Sequence, residues 1–93
     1  MTAKVQIKAT ITGKVQGVFF RYNTKNTADS LGLKGYVKNL PNGCVEAVFQ
    51  GEHAIVDQAL EWCQKGPAQS RVDDVRTAPM TDMSNFQSFN IDD

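Results

Sequence analysis

Val5, Ile7, Ala9 and Ile11 alternate with Lys4, Gln6, Lys8, Thr10 and Thr12, a period of two that predicts a strand with one buried face. The alternation stops at Gly13 and Gly17. Phe20, Thr24, Thr27, Ala28 and Leu31 then recur at helical spacing, and Gly32 supplies a left-handed C-terminal stop. Residues 34–39 and 44–50 read as two strands around Leu40-Pro41-Asn42-Gly43, where Asn-Gly signals a hairpin. Val56, Ala59, Leu60 and Cys63 form the apolar stripe of a second helix over 54–65, with Trp62 as a packing residue and Gly66-Pro67 as the stop. A strand over 71–77 is less regular, because adjacent Asp73 and Asp74 break the alternation and mark a candidate bulge. A short final strand is expected over 86–91. The order predicts an α+β, ferredoxin-like split βαβ sandwich, βαββαβ, with two helices on one face of an antiparallel sheet and a short C-terminal strand. This arrangement hosts many unrelated functions and names none of them.

The 93 residues fit a single domain over 1–93, and 41% apolar content suffices for a core. Ten basic and ten acidic residues cancel. A neutral chain lacks the positive field expected of a nucleic-acid binder. The N-terminus carries no apolar signal-like run, and no apolar stretch approaches membrane-spanning length. The expected location is cytoplasmic, with no membrane partner and with reduced thiols. Cys44 alternates onto the exposed sheet face and Cys63 onto the buried helix stripe, so the two are predicted not to pair. An exposed Cys44 is left able to form an intermolecular link on oxidation.

The segment that carries chemistry is Gly13-Lys14-Val15-Gln16-Gly17-Val18-Phe19-Phe20-Arg21, between the first strand and the first helix. Gly13 and Gly17 allow backbone angles closed to other residues. Such a turn can aim successive N–H groups into one anion-binding concavity. The helix that follows adds its own unpaired N–H groups and the positive end of its dipole. Arg21 at the helix entrance brings a planar donor fork with a fixed charge, suited to phosphate oxygens.

Gly13-x-Val15-Gln16-Gly17-Val18-x-Phe20-Arg21 resembles the signature of the acylphosphatase family, and Leu31-Gly32-Leu33-x-Gly35-Tyr36-Val37-x-Asn39 is similar to its second signature. Gly43-x-Val45-Glu46 and Gly51 fit the region that follows, and the similarity runs to about Val75. The resemblance implies that Arg21 binds the substrate phosphate together with the backbone amides of Gln16, Gly17, Val18, Phe19, Phe20 and Arg21. It also implies that Asn39 orients the attacking water. The implied substrates are small acyl phosphates, with inorganic phosphate or sulfate as product or inhibitor, and the enzyme is expected to act as a monomer.

The chemistry is consistent with those parts. An acyl phosphate expels a carboxylate whose conjugate acid has a pKa of about 4, so no general acid is needed. Val15 occupies the position where a Cys-x5-Arg phosphatase needs its cysteine, and no Gly-Lys-Ser/Thr follows the loop. His53 is the only histidine and reads as an exposed or capping residue just before the second helix. No metal and no organic cofactor are expected. Phe20 reads as core, and Phe19 as packing or flanking the site. Lys14 and Lys38 are candidates for raising the local potential. Leu40 and the acidic end Asp92-Asp93 depart from the family pattern, and the two carboxylates are candidates to compete for Arg21. Two other readings are carried forward. One is a nucleic-acid module using the open sheet face, where the first strand offers Lys4, Gln6, Lys8, Thr10 and Thr12 but no aromatic. The other is an acylphosphatase-like domain of a larger carbamoyl-transfer maturation protein.

Overall fold

The computed structural model describes residues 3–92. Five strands, β1 (Lys4–Lys14), β2 (Lys34–Asn39), β3 (Val45–Glu52), β4 (Arg71–Pro79) and β5 (Phe89–Asp92), form one sheet in the order β4-β1-β3-β2-β5. Two helices, α1 (Phe20–Leu31) and α2 (His53–Lys65), pack against it. The neighbours among β1 to β4 run antiparallel, as the sequence predicts. The last strand does not: β5 starts at Phe89 rather than 86 and lies parallel to β2.

Alternation builds the core. Ala9 and Ile11 of β1, Val37 of β2, Val45, Ala47 and Phe49 of β3, and Phe89 of β5 are sealed beneath the helices. Each helix buries the centre of its predicted stripe, Phe20, Thr24 and Ala28 from α1 and Val56, Ala59 and Cys63 from α2, while Thr27, Leu31 and Leu60 of those stripes are half-buried. Thr24 escapes the cost of a buried hydroxyl by donating to the Phe20 carbonyl at 2.7 Å. Phe20 meets Trp62 across the helix pair with ring centroids 5.6 Å apart, and Phe49 stacks on Phe89 at 5.5 Å.

The stops work as read. Gly32 adopts φ 71°, and the Leu33 N–H reaches back to the Ala28 carbonyl at 2.9 Å, closing α1 in a Schellman motif. The acidic pair does mark a bulge: Thr12 pairs with Asp74 and Gly13 with Val72, which leaves Asp73 unmatched. Gly13 therefore belongs to β1 rather than to the loop. An added Cβ there would lie 2.1 Å from the Arg71 carbonyl oxygen, so its glycine serves strand pairing.

The face opposite the helices is less open than β1 suggests. Gln6 is 1% exposed, because the segment after β4 crosses over it. Gln6 Oε1 accepts from Gln50 Nε2 at 2.9 Å and from the Ser84 N–H at 2.8 Å, and Gln50 Nε2 also donates to the Ser84 carbonyl. Tyr36 and Phe86 meet edge-on at 6.0 Å on that face. The aromatics absent from β1 are thus supplied by β2 and the crossing segment, and they engage each other.

Candidate active site

The loop between β1 and α1 is short, covering residues 15–19. Val15 and Val18 anchor it in the core, at 1% and 6% exposure, while Gly17 and Phe19 face outward. Two residues take left-handed backbone angles, Gly17 at φ 74° and Phe19 at φ 61°. An added Cβ on Gly17 would meet nothing within 4 Å, so its glycine is demanded by the backbone angle alone. Phe19 occupies the N-cap position of α1 without a side-chain cap. Its carbonyl accepts from the Asn23 N–H at 3.0 Å and from Asn23 Nδ2 at 2.9 Å.

This winding leaves donors unspent. Among the described residues, the N–H groups of Gln16, Gly17, Val18, Phe19 and Phe20 make no hydrogen bond to another part of the chain. They precede or open α1, where the helix dipole adds positive potential. Arg21 follows as the second residue of the helix and is half-buried.

The other wall comes from the end of β2. Asn39 is its last residue, and the chain then turns through Leu40 to Cys44. The Leu40 N–H bonds the Cys44 carbonyl at 2.8 Å, and Asn42 Oδ1 accepts from the Cys44 N–H at 3.1 Å. Gln16 ties the two walls together. Its Nε2 donates to the carbonyls of Leu40 and Cys44, each at 2.9 Å. Sequence reasoning assigned Gln16 only a backbone role; a glutamine in a loop gives no local sign of which carbonyls its amide will reach.

A cleft of about 300 Å³ lies between these walls, lined by Val15, Gly17, Phe19, Phe20, Arg21, Tyr22, Asn39 and Ile91. Arg21 and Asn39, singled out from separate motifs, therefore share one cavity. Asn39 Oδ1 is the one buried side-chain oxygen or nitrogen among the described residues that finds no hydrogen-bond partner. A buried acceptor left so is costly unless a molecule in the cleft donates to it.

Other candidates fall elsewhere. Lys14 and Lys38 do not line the cleft; Lys38 stands 3.7 Å from Glu46 and over the Tyr36 ring on the far sheet face. Tyr36 OH donates to Glu46 at 2.8 Å. Burial, that bond, and the charges of Glu46 and Asp92 push the Tyr36 phenol up to about 12. Ile91, rather than Asp92, enters the cleft. Asp93 lies outside the described residues. His53 is exposed, opens α2 rather than preceding it, and sits 3.7 Å from Asp57. Cys44 and Cys63 are unpaired, and Cys44 is half-buried rather than exposed, with Sγ 3.6 Å from Thr12 Oγ1. Among the described residues no three His, Cys, Asp or Glu side chains converge as metal ligands, and no helix is long and apolar enough to cross a membrane.

A family model described as Acylphosphatase matches residues 7–91. A curated acylphosphatase of Rubrobacter xylanophilus is 49% identical over 70 residues, which span 75% of this chain and 64% of that protein. One from Geobacter metallireducens is 40% identical over 91 residues, 98% of either chain. Among solved structures, an acylphosphatase from Coxiella burnetii superposes with a TM-score of 0.91 at 37% identity, over 96% of this chain and 93% of that one.

Proposed function

The chain belongs to the acylphosphatase family, and from that premise we propose that it hydrolyses the carboxyl–phosphate anhydride of small acyl phosphates to carboxylate and inorganic phosphate. The observation that carries the reading is the shared cleft. It is lined by Arg21 and Asn39 together with Gly17, Phe19 and Phe20, whose N–H groups bond no other part of the chain, and the Asn39 amide oxygen is buried without a donor.

In this reading the phosphoryl group lies against the N–H groups of Gln16, Gly17, Val18, Phe19, Phe20 and Arg21, with the Arg21 guanidinium on its oxygens. These donors stand fixed before the reaction, so charge on the equatorial oxygens is stabilised without reorganisation. A water donates one hydrogen bond to Asn39 Oδ1, which aims its lone pair at phosphorus. The water oxygen forms the new P–O bond while the bond from phosphorus to the acyl oxygen breaks, and that electron pair leaves on the carboxylate. One water proton passes to a phosphoryl oxygen, giving dihydrogen phosphate. Asn39 takes no proton, since an amide is not basic near neutrality. The carboxylate is a good leaving group, so the reading requires neither a general acid nor a metal ion. The proposal extends to action as a monomer in the cytoplasm.

The test compares acetyl phosphate with a phosphomonoester in the presence of a chelator, using wild type, Arg21→Ala and Asn39→Ala. Acetyl phosphate is expected to be cleaved and the monoester spared. Arg21→Ala should lose turnover by about a thousandfold or more, along with inhibition by inorganic phosphate. Asn39→Ala should lose about a hundredfold in kcat while phosphate still inhibits. Full activity in Asn39→Ala would remove the water-orienting role.

A further inference from the structure

The turn that follows Asn39 carries a chemistry that hydrolysis does not use. Of the six asparagines, Asn42 alone precedes a glycine. Asn23 and Asn26 lie in α1 before threonines, Asn39 and Asn90 lie in β2 and β5 before Leu40 and Ile91, and Asn85 precedes Phe86. A side chain on the following residue shields its backbone nitrogen from the asparagine amide, and Gly43 has none. Asn42 and Gly43 are both exposed, and a Cβ built on Gly43 would meet nothing within 4 Å. Water and hydroxide therefore reach the pair directly.

The turn also orients the amide. Asn42 Oδ1 accepts from the Cys44 N–H at 3.1 Å. That bond folds the side chain back along the Gly43 peptide. It also places a donor on the oxygen that gains charge when the amide carbon is attacked. One contact opposes the attack, the hydrogen bond from the Gly43 N–H to the Leu40 carbonyl at 3.1 Å. In an exposed turn such a bond opens locally without the core unfolding.

We propose that Asn42-Gly43 is a self-modification site, and that its isoaspartyl product uncouples the two walls of the active site. The Gly43 nitrogen forms a bond to Asn42 Cγ as the bond from Cγ to Nδ2 breaks. Ammonia leaves, carrying the proton that Gly43 gives up, and a five-membered succinimide remains. Water then opens the ring. Attack at Cγ gives aspartate at position 42. Attack at the main-chain carbonyl carbon gives isoaspartate, in which the chain runs on through Cβ and Cγ.

The two products differ in consequence. Asn42 lies in the loop between Asn39 and Val45, the pair that closes the β2–β3 ladder. Aspartate keeps the loop length and an acceptor for the Cys44 N–H. Isoaspartate adds one backbone atom, and loop length fixes the register of a hairpin. The Leu40 and Cys44 carbonyls, each held by Gln16 Nε2 at 2.9 Å, then shift against each other. The functional half of the proposal rests on the hydrolytic reading above: turnover falls because Asn39 loses its setting opposite Arg21, while the β1–α1 loop keeps its own winding.

The experiment ages folded wild type and Asn42→Ser at mildly alkaline pH. Peptide mass analysis maps isoaspartate, and acetyl phosphate turnover is followed on the separated forms. Residue 42 is expected to convert well before any other asparagine. The isoaspartyl form should lose about tenfold in kcat while inorganic phosphate still inhibits. An isoaspartate-specific methyltransferase with S-adenosylmethionine should restore turnover as isoaspartate returns to aspartate. Freshly made Asn42→Asp, and Asn42→Ser after the same ageing, should match fresh wild type. Aged, folded wild type without isoaspartate at position 42 would overturn the site. An isoaspartyl form as active as fresh protein would overturn its coupling to the cleft. Fresh wild type inactive on acetyl phosphate would instead sink the hydrolytic reading, and the mass map alone would then decide the modification.

Discussion

Phe19 concentrates the physics of the site in one residue. At φ 61° and ψ 25° it is the one non-glycine residue with positive φ among those described. The left-handed region costs an L-residue about 1–2 kcal/mol, and a ring left 73% exposed recovers little of that by burial. What holds the angle is the loop around it, with Val18 and Phe20 anchored in the core on either side. The strain predicts an inverted order of substitutions. At most positions alanine folds more stably than glycine, because glycine loses more freedom on folding. At position 19, Phe19→Gly is expected to be more stable than Phe19→Ala by about 1 kcal/mol, since alanine keeps the Cβ clash and glycine does not. Urea unfolding of the two variants gives the answer, and alanine at least as stable as glycine would mean the loop relaxes when the ring is lost.

At the scale of elements, the proposed catalytic geometry depends on the separation between the β1–α1 loop and the end of β2, and Gln16 spans it. Its amide bonds two carbonyls that already accept from elsewhere: Leu40 from the Gly43 N–H, Cys44 from the Leu40 N–H. Removing the side chain therefore orphans neither acceptor, and Gln16→Ala should cost about 1 kcal/mol of stability. Its effect on catalysis should be larger. With the strap gone, Arg21 and Asn39 are no longer held in register, and kcat should fall about tenfold or more while phosphate inhibition persists. Steady-state kinetics alongside a denaturation curve separate the two effects, and an unchanged kcat would make Gln16 a stability residue only. The same element shows where sequence stops informing. Local chemistry was legible: the glycine of the loop, the Asn-Gly turn, the Gly32 stop and the bulge at Asp73 each follow from residues a few positions apart. Gln6 under Ser84, at 78 residues' separation, Ile91 in the cleft and the parallel pairing of β5 do not. They are decided by which segments meet in three dimensions, and a period-two pattern cannot say which sheet face a later segment will cover.

At the scale of the whole molecule, both sheet faces carry a group whose ionisation folding suppresses. Burial on the inner face of α2, against the sheet, pushes the Cys63 thiol from an ordinary 9.0 up to about 12. On the opposite face, burial foremost and then the neighbouring carboxylates push the Tyr36 phenol from 10.0 to about 12. Both groups are neutral when protonated, so the folded state keeps protons that the unfolded chain has already lost. Unfolding then releases protons above about pH 9, and stability must decline as pH rises from there towards about 12. Below about pH 9 both states are protonated and neither group contributes a slope. For the deeply buried Cys63 the loss should be about 1.4 kcal/mol between about pH 8 and about pH 10, most of it above pH 9. Urea titrations under reducing conditions at the two pH values measure it. Cys63→Ala should be less stable at the lower pH, from the lost packing, yet show a shallower fall at the higher one. Tyr36→Phe should remove a further part of the slope on approach to pH 11 and leave acyl phosphate turnover intact, because Tyr36 faces away from the cleft. A Cys63→Ala chain that loses stability with pH as steeply as wild type would place the source of the alkaline slope outside the helix-covered core.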